Sequence, residues 1–64
     1  MTVTPINDSF WQVSGDTGVL AYIDRITVLD EIRFRVRKLR YPDAKWVRLG
    51  EYWEFERAVE ACGD

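Results

Sequence analysis

The segment Ile32-Arg33-Phe34-Arg35-Val36-Arg37-Lys38-Leu39 begins with a strict alternation of apolar and basic side chains. Successive side chains of a β-strand point to opposite faces of a sheet, so this alternation is typical of a strand that is buried on one side. The apolar residues would face a core, and the arginines would face away from it. We therefore predict a half-buried strand over residues 32–39.

Two more strands are predicted before this segment. Phe10, Trp11 and Val13 favour a strand over residues 9–13, and residues 14–18, Ser-Gly-Asp-Thr-Gly, have the composition of a turn. Residues 19 to about 26 are rich in β-branched and aromatic residues and predict the next strand. Residues 1–8 are interpreted as a flexible N-terminal arm.

A turn, a short strand and a helix are predicted after the alternating segment. Tyr41-Pro42-Asp43-Ala44 is read as a turn, because Pro42 presets the backbone angle of the second turn residue. A strand over 45–49 would end at Gly50. Beyond it, the spacing of Phe55, Ala58, Val59 and Cys62 predicts a helix over 53–62, with Gly63 as its cap. The predicted fold is α+β, with a four-stranded antiparallel β-meander and one C-terminal α-helix packed on one face, forming a single domain over residues 9–64.

Strand registers follow from the requirement that like charges avoid each other. We expect Ile23 opposite Phe34 and Tyr22 opposite Arg35, because a shift by one residue would set Arg25 against Arg33. Val36 is expected opposite Leu49, and Arg37 opposite Arg48. The predicted core is the following set: Val19, Ala21, Ile23, Ile32, Phe34, Val36, Val47 and Leu49 under Phe55, Ala58, Val59 and Cys62.

Length and composition predict one small folded domain in a reducing compartment. The chain has 64 residues, of which 47% are hydrophobic and 31% are charged, and this is too apolar for a disordered segment. Cys62 is the single cysteine, so no intramolecular disulfide can form. The longest apolar stretch, residues 18–23, is far shorter than the roughly 20 residues of a bilayer span. No secretory signal is recognisable. We expect a cytoplasmic location and no membrane partner.

The residue types argue against catalysis. The sequence contains no histidine, which is the usual general base near neutral pH and the commonest nitrogen ligand of zinc. Cys62 lies on the predicted buried face of the helix and is expected to fill the core. Residues 15–18, Gly-Asp-Thr-Gly, are not followed by a helix, so they do not form a phosphate-binding motif. We predict a non-enzymatic protein with no metal and no small-molecule cofactor.

Charge is segregated along the chain and points to the open face of the sheet. Residues 33–48 contain seven basic residues and one acidic residue, although the net charge of the whole chain is −2. Alternate arginines repel one another unless an anion is near, and a large exposed aromatic patch is unusual for a monomer. A purely solubilising face is the alternative interpretation. The candidate partner-binding residues are Tyr22, Arg33, Arg35, Arg37, Trp46 and Arg48.

Two classes of partner suit such a face. A protein partner, or a second copy of the chain, would meet the aromatic and arginine side chains with an acidic rim. A nucleic acid would use the arginines for phosphates and the aromatic rings for stacking. The final segment, LGEYWEFERAVEA at residues 49–61, resembles the AP2-like and integrase arm-type DNA-binding domains in a common aromatic-and-alanine helix pattern. That resemblance implies DNA binding.

The overall isoelectric point favours a protein partner over a nucleic acid. It is about 5.0, which differs from the basic balance of a free-standing DNA binder. We therefore predict a small regulatory or accessory protein, of the adaptor, inhibitor or mobile-element type, that binds a protein partner or itself. A nucleic-acid-binding module that uses the same face is the alternative.

Overall fold

One antiparallel sheet and one helix make up the part of the chain that the structure describes. A computed structural model describes residues 1–40 and 45–63, apart from the side chain of Leu39. Its elements are β1 (Thr2–Asn7), β2 (Phe10–Gly15), β3 (Gly18–Val28), β4 (Glu31–Arg40), β5 (Lys45–Tyr52) and α1 (Phe55–Cys62). Each strand pairs with the next, in the order β1-β2-β3-β4-β5. The α+β class and the C-terminal helix are confirmed. The predicted turn over 41–44 lies outside the described residues.

The described sheet has five strands, and the prediction of four was wrong. Residues 1–8, interpreted as an arm, contain β1, which pairs with β2 from Thr2 opposite Ser14 to Asn7 opposite Phe10. Val3 packs against the core cluster from this strand. Pro5 lacks an N–H donor, which an edge strand tolerates because one side of it has no neighbour to bond. A proline therefore did not exclude a strand here.

The β3–β4 register differs from the predicted one by two residues. Ile23 lies opposite Val36, and Tyr22 lies opposite Arg37. The loop is the reason, because β3 continues to Val28 and β4 begins at Glu31, leaving only Leu29 and Asp30 between them. A shift of two residues preserves the side of the sheet on which each side chain lies. The predicted faces of β3 and β4 are therefore retained.

A bulge interrupts the pairing of β4 with β5. Arg37 lies opposite Arg48, as predicted, but Val36 lies opposite Gly50, so Leu49 is the extra residue. Gly50 adopts a φ of 152°, which residues with a side chain rarely adopt. Gly50 therefore lets the strand pass through the irregularity and continue to Tyr52. The prediction that Gly50 ends the strand was wrong for this reason.

The core lies between the helix and the middle of the sheet. Its fully buried members are Val13, Ala21, Ile23, Val36, Ala58 and Cys62. Around them pack partly buried residues, namely Val3, Trp11, Leu20, Phe34, Tyr52, Phe55 and Val59. Trp11 and Val13 of β2 were missing from the predicted core, because the sequence did not assign the faces of that strand.

Two residues of the predicted core are exposed. Ile32 retains 54% of its accessible surface and Leu49 retains 42%. The helix begins at Phe55 rather than at residue 53 and has eight residues, so it is about 12 Å long. Ten residues of β4 extend for roughly 33 Å. The helix therefore covers only part of that strand, and Leu49 lies at the bulge.

Candidate docking face of the sheet

The open face is the side of the sheet that faces away from α1. All six predicted binding residues lie on it, because Tyr22, Arg37 and Arg48 are direct neighbours across three strands. The same cross-strand pairing adds residues that the sequence argument had not assigned to a site. These additions are Phe10, Gln12, Asp24 and Glu51.

Three aromatic rings form a continuous row across this face. The rings of Phe10 and Tyr22 stack with centroids 5.1 Å apart and planes at 13°. Tyr22 and Trp46 also have centroids 5.1 Å apart, with the planes tilted by 43°. The Tyr22 hydroxyl donates a hydrogen bond to Gln12 Oε1 at 3.4 Å. We call Phe10, Tyr22 and Trp46 the aromatic row, and Trp46, at one end of it, is 48% exposed.

Asp24 provides an anion between two of the arginines. Nε and Nη2 of Arg35 donate to its Oδ2 at 3.3 and 3.0 Å. Nη2 of Arg37 approaches the same oxygen at 3.2 Å. The Asp24 side chain is only 14% exposed, so solvent screens this cluster less than it screens a surface ion pair. The arginine repulsion expected from the sequence is therefore relieved within the chain.

Arg33 belongs to a separate cluster, which the Asp24 cluster separates from the aromatic row. Its guanidinium lies 3.7 Å from a carboxylate oxygen of Glu31 and 3.5 Å from one of Glu51. The same group stacks 4.5 Å above the ring of Trp53. The face thus divides into an Arg33 cluster, a central Asp24 cluster and an aromatic row. The sequence did not assign Glu51 to this face, because the bulge that brings it opposite Arg35 was not predicted.

Positive charge in excess remains at the end of the face near Trp46. Arg48 is exposed and lies directly opposite Arg37. It makes no ion pair with any residue that the structure describes. The Nε atoms of Arg33 and Arg37 are buried and have no hydrogen-bond partner within the described residues. Arg48 is consequently the arginine best placed to meet an external anion.

Geometry alone bears on the role of this face. Protein-family models, curated proteins and solved structures show no match to the chain. Two other features could hold a site, namely the edges of the sheet and the buried thiol of α1.

The sheet edges are protected against pairing with another strand. The β1 edge contains Pro5 and an irregularity between Pro5 and Asn7. The β5 edge contains Lys45 and the bulge at Leu49. Prolines, lysines and bulges are the common devices that keep an edge from extending a sheet. A partner is therefore better accommodated on the open face than on an edge.

Cys62 is held away from solvent. It is 1% exposed, and its Sγ donates to the carbonyl oxygen of Ala58 at 3.3 Å. Burial raises the pKa of the thiol above its ordinary value of 9.0, and the nearby charge of Lys38 opposes this only in part. The thiol is protonated and packed at neutral pH.

No helix among residues 1–40 and 45–63 is long and apolar enough to cross a membrane.

Proposed function

We propose that this chain is a small non-enzymatic regulatory or accessory protein, of the adaptor or inhibitor type, that binds another protein chain through the open face. The observation that carries the proposal is the aromatic row, which ends in the half-exposed Trp46 beside Arg48, an arginine with no ion pair among residues 1–40 and 45–63. Tryptophan, tyrosine and arginine dominate the energetics of protein interfaces. The buried thiol suits a reducing, cytoplasmic setting.

The face is organised before any partner binds. Stacking fixes the ring of Tyr22 between those of Phe10 and Trp46, and Asp24 fixes the guanidinium groups of Arg35 and Arg37. Ordering an interface side chain on binding costs roughly 0.5–1.5 kcal/mol, so side chains that are already ordered favour affinity. A rigid patch of this kind suits recognition of one defined surface.

A protein partner is favoured over a nucleic acid by the internal ion pairs. Three of the four arginines on the face already contact carboxylates of this chain. Binding to phosphates gains most of its free energy from cations that neutralise them and release counterions. Asp24 and Glu51 would repel a phosphate backbone laid across the same face. An acidic protein surface needs to meet only Arg48 and the exposed ring of Trp46.

Site-specific photo-crosslinking in the source cells tests the proposal. A photoreactive phenylalanine analogue replaces Trp46 in one variant and Glu56, on the exposed side of α1, in the control. We expect a defined protein adduct, including a homodimer adduct, from position 46 and none from position 56. Adducts to nucleic acid from position 46, together with steeply salt-dependent binding of random DNA, would instead support the nucleic-acid function.

A further inference from the structure

A second surface of the chain complements the open face in charge. A cleft of about 490 Å³ lies between the end of β5 and α1. Its charged lining residues are Glu51, Glu54, Glu60 and Arg57. Arg33 contacts Glu51 and Arg57 contacts Glu60, so three carboxylates meet two guanidinium groups and the balance stays acidic. Trp53, which is 61% exposed, supplies an aromatic wall. Carboxylates beside an exposed indole ring are the groups that an arginine side chain prefers to meet.

Charge also decides how two copies can meet. If two open faces packed against each other, each Arg48 would meet a face on which four arginines outnumber the carboxylates of Asp24 and Glu51. If the open face of one copy met the cleft of another, Arg48 would approach carboxylates instead. Like charges set against each other across an interface are unfavourable, so the second arrangement is preferred.

We propose that the open face binds the acidic cleft of a second copy of this chain, with Arg48 entering the cleft and Trp46 packing at its rim. The inference rests on the proposed function and names its partner. The two surfaces share only Glu51 at their border, so a bound pair still offers the free open face of one copy and the free cleft of the other. Contacts of this heterologous kind produce rings or open chains rather than a closed two-fold dimer.

The surface of the chain has room for both contacts. Its accessible area is 4571 Å². A standard interface buries about 800 Å² of each partner, so two such patches would cover about a third of the molecule. Rim charges contribute to the contact, so we expect association that weakens as salt rises.

Sedimentation velocity over a range of protein concentrations tests the inference. Wild-type chain should form dimers and larger species as its concentration rises. Arg48→Glu removes the basic side of the contact, and Glu60→Lys removes an acidic side chain of the cleft. Each variant should weaken association by at least tenfold, because each sets like charges against each other.

Two matched controls separate this contact from a general effect of net charge. Arg25→Glu changes the charge as Arg48→Glu does, and Glu56→Lys changes it as Glu60→Lys does. Arg25 and Glu56 are both exposed and lie outside the open face and outside the lining of the cleft. Both control variants should associate as the wild type does.

Mixing the two interface variants gives the decisive measurement. The Glu60→Lys variant keeps an intact open face, and the Arg48→Glu variant keeps an intact cleft. An equimolar mixture should therefore form a 1:1 dimer, although each variant alone stays monomeric. Every surface other than these two is unchanged, so recovery in the mixture identifies a head-to-tail contact.

Three results would overturn the inference. A wild-type chain that stays monomeric at millimolar concentration excludes the second copy as partner. A dimer that Arg48→Glu breaks but Glu60→Lys does not would use the open face of both copies, and this excludes the head-to-tail contact. A mixture that stays monomeric excludes the cleft. The first result leaves the proposed function standing if position 46 crosslinks to a different protein, and removes it if no protein adduct forms.

Discussion

Leu29 occupies a backbone conformation that suits other residue types better. With Asp30 it forms the two-residue loop between β3 and β4, and the φ angles of the two residues are 50° and 64°. Positive φ at both central positions is the requirement of a type I′ turn, for which Asn-Gly is strongly preferred. The Leu29 side chain is 89% exposed and gains little from burial.

Leu29→Asn should therefore stabilise the protein. Asparagine tolerates the left-handed region better than leucine does, and the gain should be about 0.5–1 kcal/mol in the free energy of unfolding. Urea denaturation followed by circular dichroism measures it. Leu29→Ala is the matched control, because it removes the exposed side chain without asparagine's preference for positive φ. If both variants gained the same free energy of unfolding, the exposed leucine side chain rather than backbone strain would be the cause of the gain.

Cys62 should make stability depend on pH in the alkaline range only. Burial raises the pKa of the folded thiol above 9.0. The unfolded chain then loses this proton at a lower pH than the folded chain does. The thiol's contribution is fully present below pH 9 and is lost as pH rises through the folded pKa. Unfolding free energies measured from pH 7 to 10.5 should fall more steeply for wild type than for Cys62→Ala, and parallel curves would contradict this.

At the scale of elements, Asp24 connects β3 to β4 through the open face. Asp24→Asn keeps the side-chain shape but leaves Arg35 and Arg37 without their shared anion. We expect a loss of about 1–3 kcal/mol, because hydrogen bonds to charged groups in partly buried sites contribute that much. Glu60→Gln removes the Arg57–Glu60 pair, whose side chains are both 69% exposed, and should cost at most about 0.5 kcal/mol. Equal losses in thermal denaturation would show that Asp24 makes only a surface ion pair.

The sequence pattern was sufficient for the elements whose side chains alternate. Arg33, Arg35 and Arg37 could be placed on the open face because period two survives a register shift of two residues. The register itself depended on the Leu29-Asp30 loop, which lacks the Asn-Gly signature of its turn type. β1 was missed because an edge strand buries little, so Thr2–Asn7 needs no apolar alternation.

Only part of the candidate site could be predicted from the sequence, because contacts between strands depend on their register. A residue such as Tyr22 or Trp46 can be assigned to a face from its own strand alone. Its neighbours require the registers of two strand pairs and the position of a bulge. Three contacts could therefore be seen only once the strands were paired. They are the stacking of Phe10 on Tyr22, the ion pairs of Asp24 with two arginines, and the contact of Glu51 with Arg33.

At the scale of the whole molecule, one aromatic cluster attaches the helix to the sheet. Trp11 and Phe34 have ring centroids 6.1 Å apart, and Phe55 lies 4.9 Å from Trp11 and 5.6 Å from Phe34. These three side chains join β2, β4 and α1. Among the residues that the structure describes, six are fully buried, so these three rings supply a large share of the packing that holds the helix.

Phe34→Ala should consequently unfold the protein as a unit. Truncating a core phenylalanine costs about 3–5 kcal/mol, and a chain of this length has a total stability of roughly 3–10 kcal/mol. Far-ultraviolet circular dichroism and tryptophan fluorescence should report the same early transition, because loss of the cluster removes the helix and the sheet packing together. Ile32→Ala, two positions along the same strand at a residue that is 54% exposed, should melt close to wild type. A Phe34→Ala protein that kept its sheet signal while losing its helix would show that α1 is an appendage and that the five strands are stable without it.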